Sequence, residues 1–175
     1  MHPISHGLTG LLMLKICENI QPQFFSKSLF FIVFAVGFSM IPDVDSLWKS
    51  MHIRDHHKSF FHAPLFWLAI GLAIIVTEYL LYSNIFGLGF LFILTTQFHL
   101  LSDYITAREA GIAWFYPFCK KEYSLVPMNK EVGNFDFLRS TRQQKKAYYE
   151  YYFSNLKLLA FEVIIPLASL FIFLA

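Results

Sequence analysis

Hydrophobic residues gather in five long stretches separated by polar segments. The stretches cover residues 4–20, 28–41, 61–82, 85–106 and 156–175. A helix needs roughly 20 residues to cross a bilayer, and the third and fourth stretches are long enough, whereas the second is short. The pattern therefore predicts an all-α integral membrane bundle with about five membrane helices.

The breaks between the stretches refine this prediction. Only Ser83 and Asn84 separate the third and fourth stretches, with Gly87 and Gly89 close behind, so we expect a tight helical hairpin there. Within the first stretch, the charged residues Lys15 and Glu18 are spaced i, i+3 and should pair on one helix face.

A polar section follows the fourth stretch and contains the basic, helix-like segment "FLRSTRQQKKAYYEYYF". Its tyrosines suit an interfacial belt, and its basic residues suit anionic lipid, so we expect an interfacial helix on the cytoplasmic side. We interpret residues 1–175 as a single domain. Its parts are a motif core over 5–118, a basic interfacial segment over 119–155 and a C-terminal membrane helix over 156–175.

Composition supports a membrane protein and excludes several other classes. The chain is 56% hydrophobic and 19% aromatic, with a mean hydropathy of +0.49, which is rare for a soluble domain. A net charge of +2 is too small to suggest nucleic acid as a partner. Cys17 and Cys119 form no CxxC pattern, so we expect neither a disulfide framework nor a cysteine-rich zinc module. The N-terminus shows no signal-peptide pattern.

The basic residues predict the orientation of the bundle. They concentrate in the loop 42–60 and in the polar section 107–155, which five spans place on one side of the membrane. The positive-inside rule makes that side cytoplasmic. We therefore expect a multi-pass protein of the inner cell membrane with a cytoplasmic N-terminus.

Histidines and acidic residues from four separate segments fall near this cytoplasmic face. These candidate metal ligands are His6, Asp43, Asp45, His57, His62, His99 and Asp103. Mixed imidazole and carboxylate donors suit Zn²⁺, with Mn²⁺ or Fe²⁺ as alternatives, better than Ca²⁺. An ionised carboxylate inside an apolar layer is costly, and a bound cation would offset that cost.

The spacing of these residues indicates how they could meet. His99 and Asp103 are i, i+4 and should share a helix face. Asp43 and Asp45 alternate, as in an extended or turn segment. His57 can lie in the loop that enters the third stretch while His62 lies in the first turn of that helix.

The same segments resemble the YdjM-like family of membrane-bound, metal-dependent hydrolases. The resemblance rests on "SHGLTG", "PDVDS", "HKSFFH" and "HLLSDYITAREAGIAWFYPF", which keep the family's order and spacing. It implies the seven metal-site candidates and a distant similarity to zinc-dependent phospholipase C and P1-type nucleases. Departures from the family pattern include Lys58 for arginine and Phe61 for threonine. Lys58 keeps the charge but loses the bidentate geometry that arginine offers a phosphate.

These observations predict a hydrolase of a small-molecule or lipid phosphoester, in or near the membrane lipid, that uses a metal-activated water. Asp43 or Asp45 would bridge metals or act as base, and Lys58 would hold phosphate. One alternative is a non-enzymatic protein that binds or transports divalent metal, although a transporter would place its ligands near the midplane and often has repeated halves. Another is a membrane-anchored interaction protein whose histidines sense pH. No nucleic acid is expected.

Overall fold

A computed structural model describes residues 3–25, 28–47, 59–82, 87–106, 111–125 and 140–175. These residues form six α-helices and two short 3-10 helices. The α-helices are α1 (Pro3–Ile20), α2 (Leu29–Met40), α3 (Pro64–Tyr82), α4 (Gly87–Thr106), α5 (Arg142–Phe153) and α6 (Leu156–Leu174); the 3-10 helices are Ile41–Leu47 and Phe60–His62. The described part contains no β-strand, only an isolated bridge between Ile112 and Tyr123. The all-α prediction is confirmed for these residues.

The bundle is organised around α1, which packs against α2, α4 and α6. One apolar cluster joins these four helices and includes Leu14, Ala35, Leu91 and Phe173. At Gly10, α1 approaches α2 so closely that an added Cβ would collide with the Ala35 carbonyl group. The small residue at this position therefore sets the distance between the two helices.

The predicted hairpin is confirmed, since α3 and α4 pack along one another. A Cβ at Gly89 would meet the backbone of Gly71 and Ile75, so the two helices are in near-backbone contact. The Glu78 carboxylate accepts hydrogen bonds from the N–H groups of Leu88 (2.8 Å) and Gly89 (3.1 Å). It thereby satisfies donors at the start of α4 that have no partner within the helix.

The expected count of about five membrane helices is not confirmed. Among the described residues, two helical segments are long and apolar enough to cross a bilayer, Pro64–Leu81 and Gly87–Thr106. Helix α2 has 12 residues, about 18 Å at 1.5 Å per residue, against a hydrocarbon core of about 30 Å. Helix α1 carries the predicted Lys15–Glu18 ion pair, which is confirmed at 3.2 Å.

The basic helix of the polar section is also confirmed, as α5. Thr141 and Gln144 form a capping box at its start, in which each side chain bonds the other residue's backbone N–H. Its location at a membrane interface stays a prediction.

Candidate metal centre

His99 and Asp103 lie in the last two turns of α4, on the face that the i, i+4 spacing predicts. Nε2 of His99 lies 3.1 Å from Oδ2 of Asp103, and both side chains are almost fully buried. Buried hydroxyl groups before and after them, such as those of Thr96 and Ser102, donate to carbonyls one turn earlier. These polar residues are therefore satisfied within α4, whereas His99 and Asp103 project towards the other elements.

Asp43 approaches His99 and Asp103 from the end of α2, but its backbone does not have the predicted conformation. Asp43 and Asp45 lie in the 3-10 helix Ile41–Leu47, so the expectation of an extended or turn segment is wrong. Pro42 has no N–H for an α-helical bond, and the chain after Met40 winds on with tighter i to i+3 geometry. This 3-10 helix presents Asp43 to the end of α4.

His62 comes from the short 3-10 helix just before α3 rather than from the first turn of α3. That turn is closed by a bond from the His62 N–H to the Ser59 carbonyl at 3.0 Å. The indole N–H of Trp67 donates to the Phe61 carbonyl and ties the turn to α3. The His62 side chain is fully buried.

Four ligand atoms from these elements converge on one point. Oδ1 of Asp43 lies 3.5 Å from Nε2 of His62 and 3.4 Å from Nε2 of His99. Oδ2 of Asp103 lies 3.7 Å and 3.1 Å from the same two nitrogens. All four atoms lie within 4.8 Å of one another. Atoms bound about 2.0–2.1 Å from a tetrahedral Zn²⁺ are separated by about 3.3–3.4 Å, so the spacing fits one small cation.

The orientation of His99 supports the same conclusion. Its Nδ1 lies 2.7 Å from the Ser39 carbonyl oxygen. Because a carbonyl only accepts, Nδ1 must carry the proton, and in neutral imidazole Nε2 then offers a lone pair. Nε2 forms no hydrogen bond in the described part of the chain, although two carboxylate oxygens lie nearby. A lone pair that faces two carboxylates is repelled unless a cation or proton lies between them.

The charges in the cluster also match a divalent ion. With both imidazoles neutral, as they are when they bind a metal, the two carboxylates leave a formal charge of −2 in a buried setting, where uncompensated charge is expensive. Asp103 is 2% exposed, whereas the side chain of Asp43 is 16% exposed. The cluster is therefore accessible from the Asp43 side.

His6 joins the cluster from α1 but contacts the opposite oxygen of Asp103. Its Nε2 lies 3.2 Å from Oδ1 of Asp103. Its ring stacks on that of His99, with the centroids 3.7 Å apart and the planes 21° from parallel. Oδ2 of Asp103 faces His62 and His99, so the two oxygens of this carboxylate contact different histidines, and His6 is on the Oδ1 side. Its predicted role as a metal ligand stays a prediction.

The structure thus brings together His6, Asp43, His62, His99 and Asp103 of the predicted residues. The side chain of Asp45 and all of His57 and Lys58 lie outside the described residues. Sequence reasoning missed Ser39, because its contribution is a backbone carbonyl and no side-chain pattern signals it. It also missed Gly10, which permits the close approach of α1 to the helix that carries Ser39.

Comparison with known proteins agrees with the motif resemblance. No curated protein and no solved structure matches the chain. Residues 1–174 match the family described as YdjM inner membrane protein, which covers nearly the whole chain. With this match and two helices of membrane-crossing length, the chain belongs to the YdjM inner membrane protein family.

Proposed function

We propose that this protein is a membrane-bound, metal-dependent hydrolase that acts on a phosphoester. The single observation that carries the proposal is the four-atom cluster of Asp43, His62, His99 and Asp103, whose spacing fits one divalent cation. Nitrogen and oxygen donors of this kind favour Zn²⁺, with Mn²⁺ and Fe²⁺ as alternatives. A cation held here would lower the pKa of a bound water to about 7 and polarise a phosphoryl oxygen.

The residues of the cluster would have different roles in the reaction. His62, His99 and Asp103 are buried and hold fixed positions, with the Ser39 carbonyl group orienting His99. Asp43 is the most exposed of the four, so water and substrate would approach beside it. Its carboxylate would take a proton from that water. Asp45 as a further base and Lys58 as a phosphate contact stay predictions.

A second candidate function is metal binding without catalysis, and one observation favours it. Four protein ligands already complete a tetrahedral shell, as in structural zinc sites, whereas catalytic sites keep a position open. Hydrolysis would need a fifth position on the Asp43 side or release of that carboxylate. Transport is less favoured, because the cluster lies at one end of α3 and α4 rather than at their middle.

The test combines metal analysis with assays of the full chain in detergent. Wild type, His99→Ala and Asp103→Asn are compared for bound metal and for turnover of phospholipids and generic phosphodiesters. Thr77→Val is the matched control, since the Thr77 hydroxyl donates to the Ala73 carbonyl and Thr77 lies in the half of α3 farther from the cluster. We expect the two site variants to lose both metal and activity, and the control to keep both.

Two results would contradict the proposal. If wild-type protein binds no metal stoichiometrically, the cluster is not a metal centre. If it binds metal and hydrolyses no ester, while ions cross proteoliposomes that contain it, transport replaces hydrolysis.

A further inference from the structure

The loop after α4 has a base that is firmly held. Ile112 and Tyr123 exchange two backbone hydrogen bonds of 2.8 and 3.0 Å, and the Leu125 N–H donates to the Tyr104 carbonyl at 2.9 Å. Ile112 is fully buried in a cluster with Trp67 and Leu100. Gly111 passes so close to the Tyr123 backbone that no Cβ would fit. The base of the loop is therefore part of the folded bundle.

The tip of the same loop is structured but uncovered. The Cys119 N–H bonds the Phe115 carbonyl at 2.9 Å, which closes a turn around Pro117. Phe115 is nevertheless 56% exposed and Phe118 is 88% exposed. We call Phe115, Pro117 and Phe118 the aromatic tip. Because its backbone is fixed by hydrogen bonds, the tip presents its two rings in a defined place.

The position of the loop and the lysines beside it indicate that lipid covers these two rings. The loop begins only a few residues after Thr106, the last residue of a helix long and apolar enough to cross the bilayer, and a helix that crosses ends at a membrane surface. Two exposed lysines, Lys120 and Lys121, directly follow the tip. Nζ of Lys121 lies 5.3 Å from the centre of the Tyr123 ring. Apolar rings beside flexible ammonium groups match the boundary between acyl chains and anionic headgroups.

We infer that the aromatic tip inserts into the headgroup region of an anionic bilayer, with Lys120 and Lys121 at the lipid phosphates. The loop leaves the end of α4 that carries Asp103, so this contact holds the metal centre next to lipid headgroups. The inference rests on the membrane character of the chain and does not depend on hydrolysis. It adds a lipid-binding surface outside the metal centre.

Cys119 offers a direct test, since it is exposed whereas Cys17 is buried. The full chain is labelled at Cys119 with the fluorophore NBD and reconstituted into vesicles of phosphatidylglycerol and phosphatidylethanolamine. A Cys119→Ser protein measures any label on Cys17. We expect blue-shifted emission, strong quenching by lipids that carry a doxyl group on an upper acyl carbon, and protection from aqueous iodide. Phe118→Ser should weaken the lipid quenching, whereas Phe153→Ser, an exposed aromatic of α5, should not.

Two outcomes would overturn the inference. Quenching by iodide but not by doxyl lipid would place the tip in water. Protection from both quenchers would place it under protein. The metal content of each sample is measured as well, which separates this question from the proposed function. A sample that binds metal while its Cys119 label lies in water would overturn the lipid contact and leave the metal centre intact.

Discussion

His6 allows a sharp test of how the metal centre is built. Its ring stacks on His99, and its Nε2 contacts Oδ1 of Asp103 at 3.2 Å. Substitution His6→Phe keeps an aromatic ring in the stack and removes the nitrogen that orients Asp103. The four-atom cluster remains, so we expect the metal stoichiometry to stay the same. Affinity should fall roughly 10–100-fold, the usual effect of losing a group that orients a ligand, which is about 1.4–2.7 kcal/mol.

The measurement is a competition titration of Zn²⁺ between the detergent-purified protein and a chromogenic chelator, with elemental analysis of the same samples. His99→Phe is the matched variant, because it removes a member of the cluster while keeping a ring in the stack. If His6→Phe loses metal as completely as His99→Phe, then His6 is a ligand, as the sequence predicts. If its affinity equals that of wild type, the contact with Asp103 does not orient the carboxylate.

Three further predictions follow from the packing and from the cluster. Gly10→Val should force α2 away from α1, because a Cβ at Gly10 already meets the Ala35 carbonyl. We expect about 1–3 kcal/mol of destabilisation. A thermal unfolding curve equal to that of wild type would contradict the close approach of the two helices. Glu78→Ala should cost about 1–3 kcal/mol by stranding two N–H groups without changing the metal content, and lost metal would show that the two ends of the hairpin are coupled. Zn²⁺ at about 100 times its Kd should raise the free energy of unfolding by about 2.7 kcal/mol, an effect that Asp103→Asn should abolish.

Local features of the fold could be predicted because they depend on neighbours in sequence. The apolar runs predicted the helix ends to within a few residues, and the spacing of His99 and Asp103 placed both on one face. The shortest polar break predicted the α3–α4 hairpin. Motif order identified the family and four of the residues that converge with His99.

The remaining features depend on contacts between distant segments, which no local pattern specifies. Pro42 could signal the end of α2, but the meeting of Asp43 with the end of α4 depends on how these two segments pack. The contact of His6 with Asp103 depends on the packing of α1 against α4, which are far apart in sequence. The number of crossings could not be predicted from apolarity alone, because α1 carries an ion pair and α2 is short. Orientation in the membrane and hydrolysis stay predictions.

The closed end of the α3–α4 hairpin has a consequence for assembly in the cell. Within this pair, Glu78 of α3 accepts the first N–H groups of α4, and Gly89 of α4 packs against the backbone of α3. These contacts need no residue from outside the pair. We therefore expect the pair to partition into lipid as one unit during synthesis, before α6 has left the ribosome. It carries His62, His99 and Asp103 in with it, and we expect cation capture to wait until α1 and α2 dock against this unit. Truncated nascent chains that end after α4, probed for metal with and without the α1–α2 segment, would reveal that order.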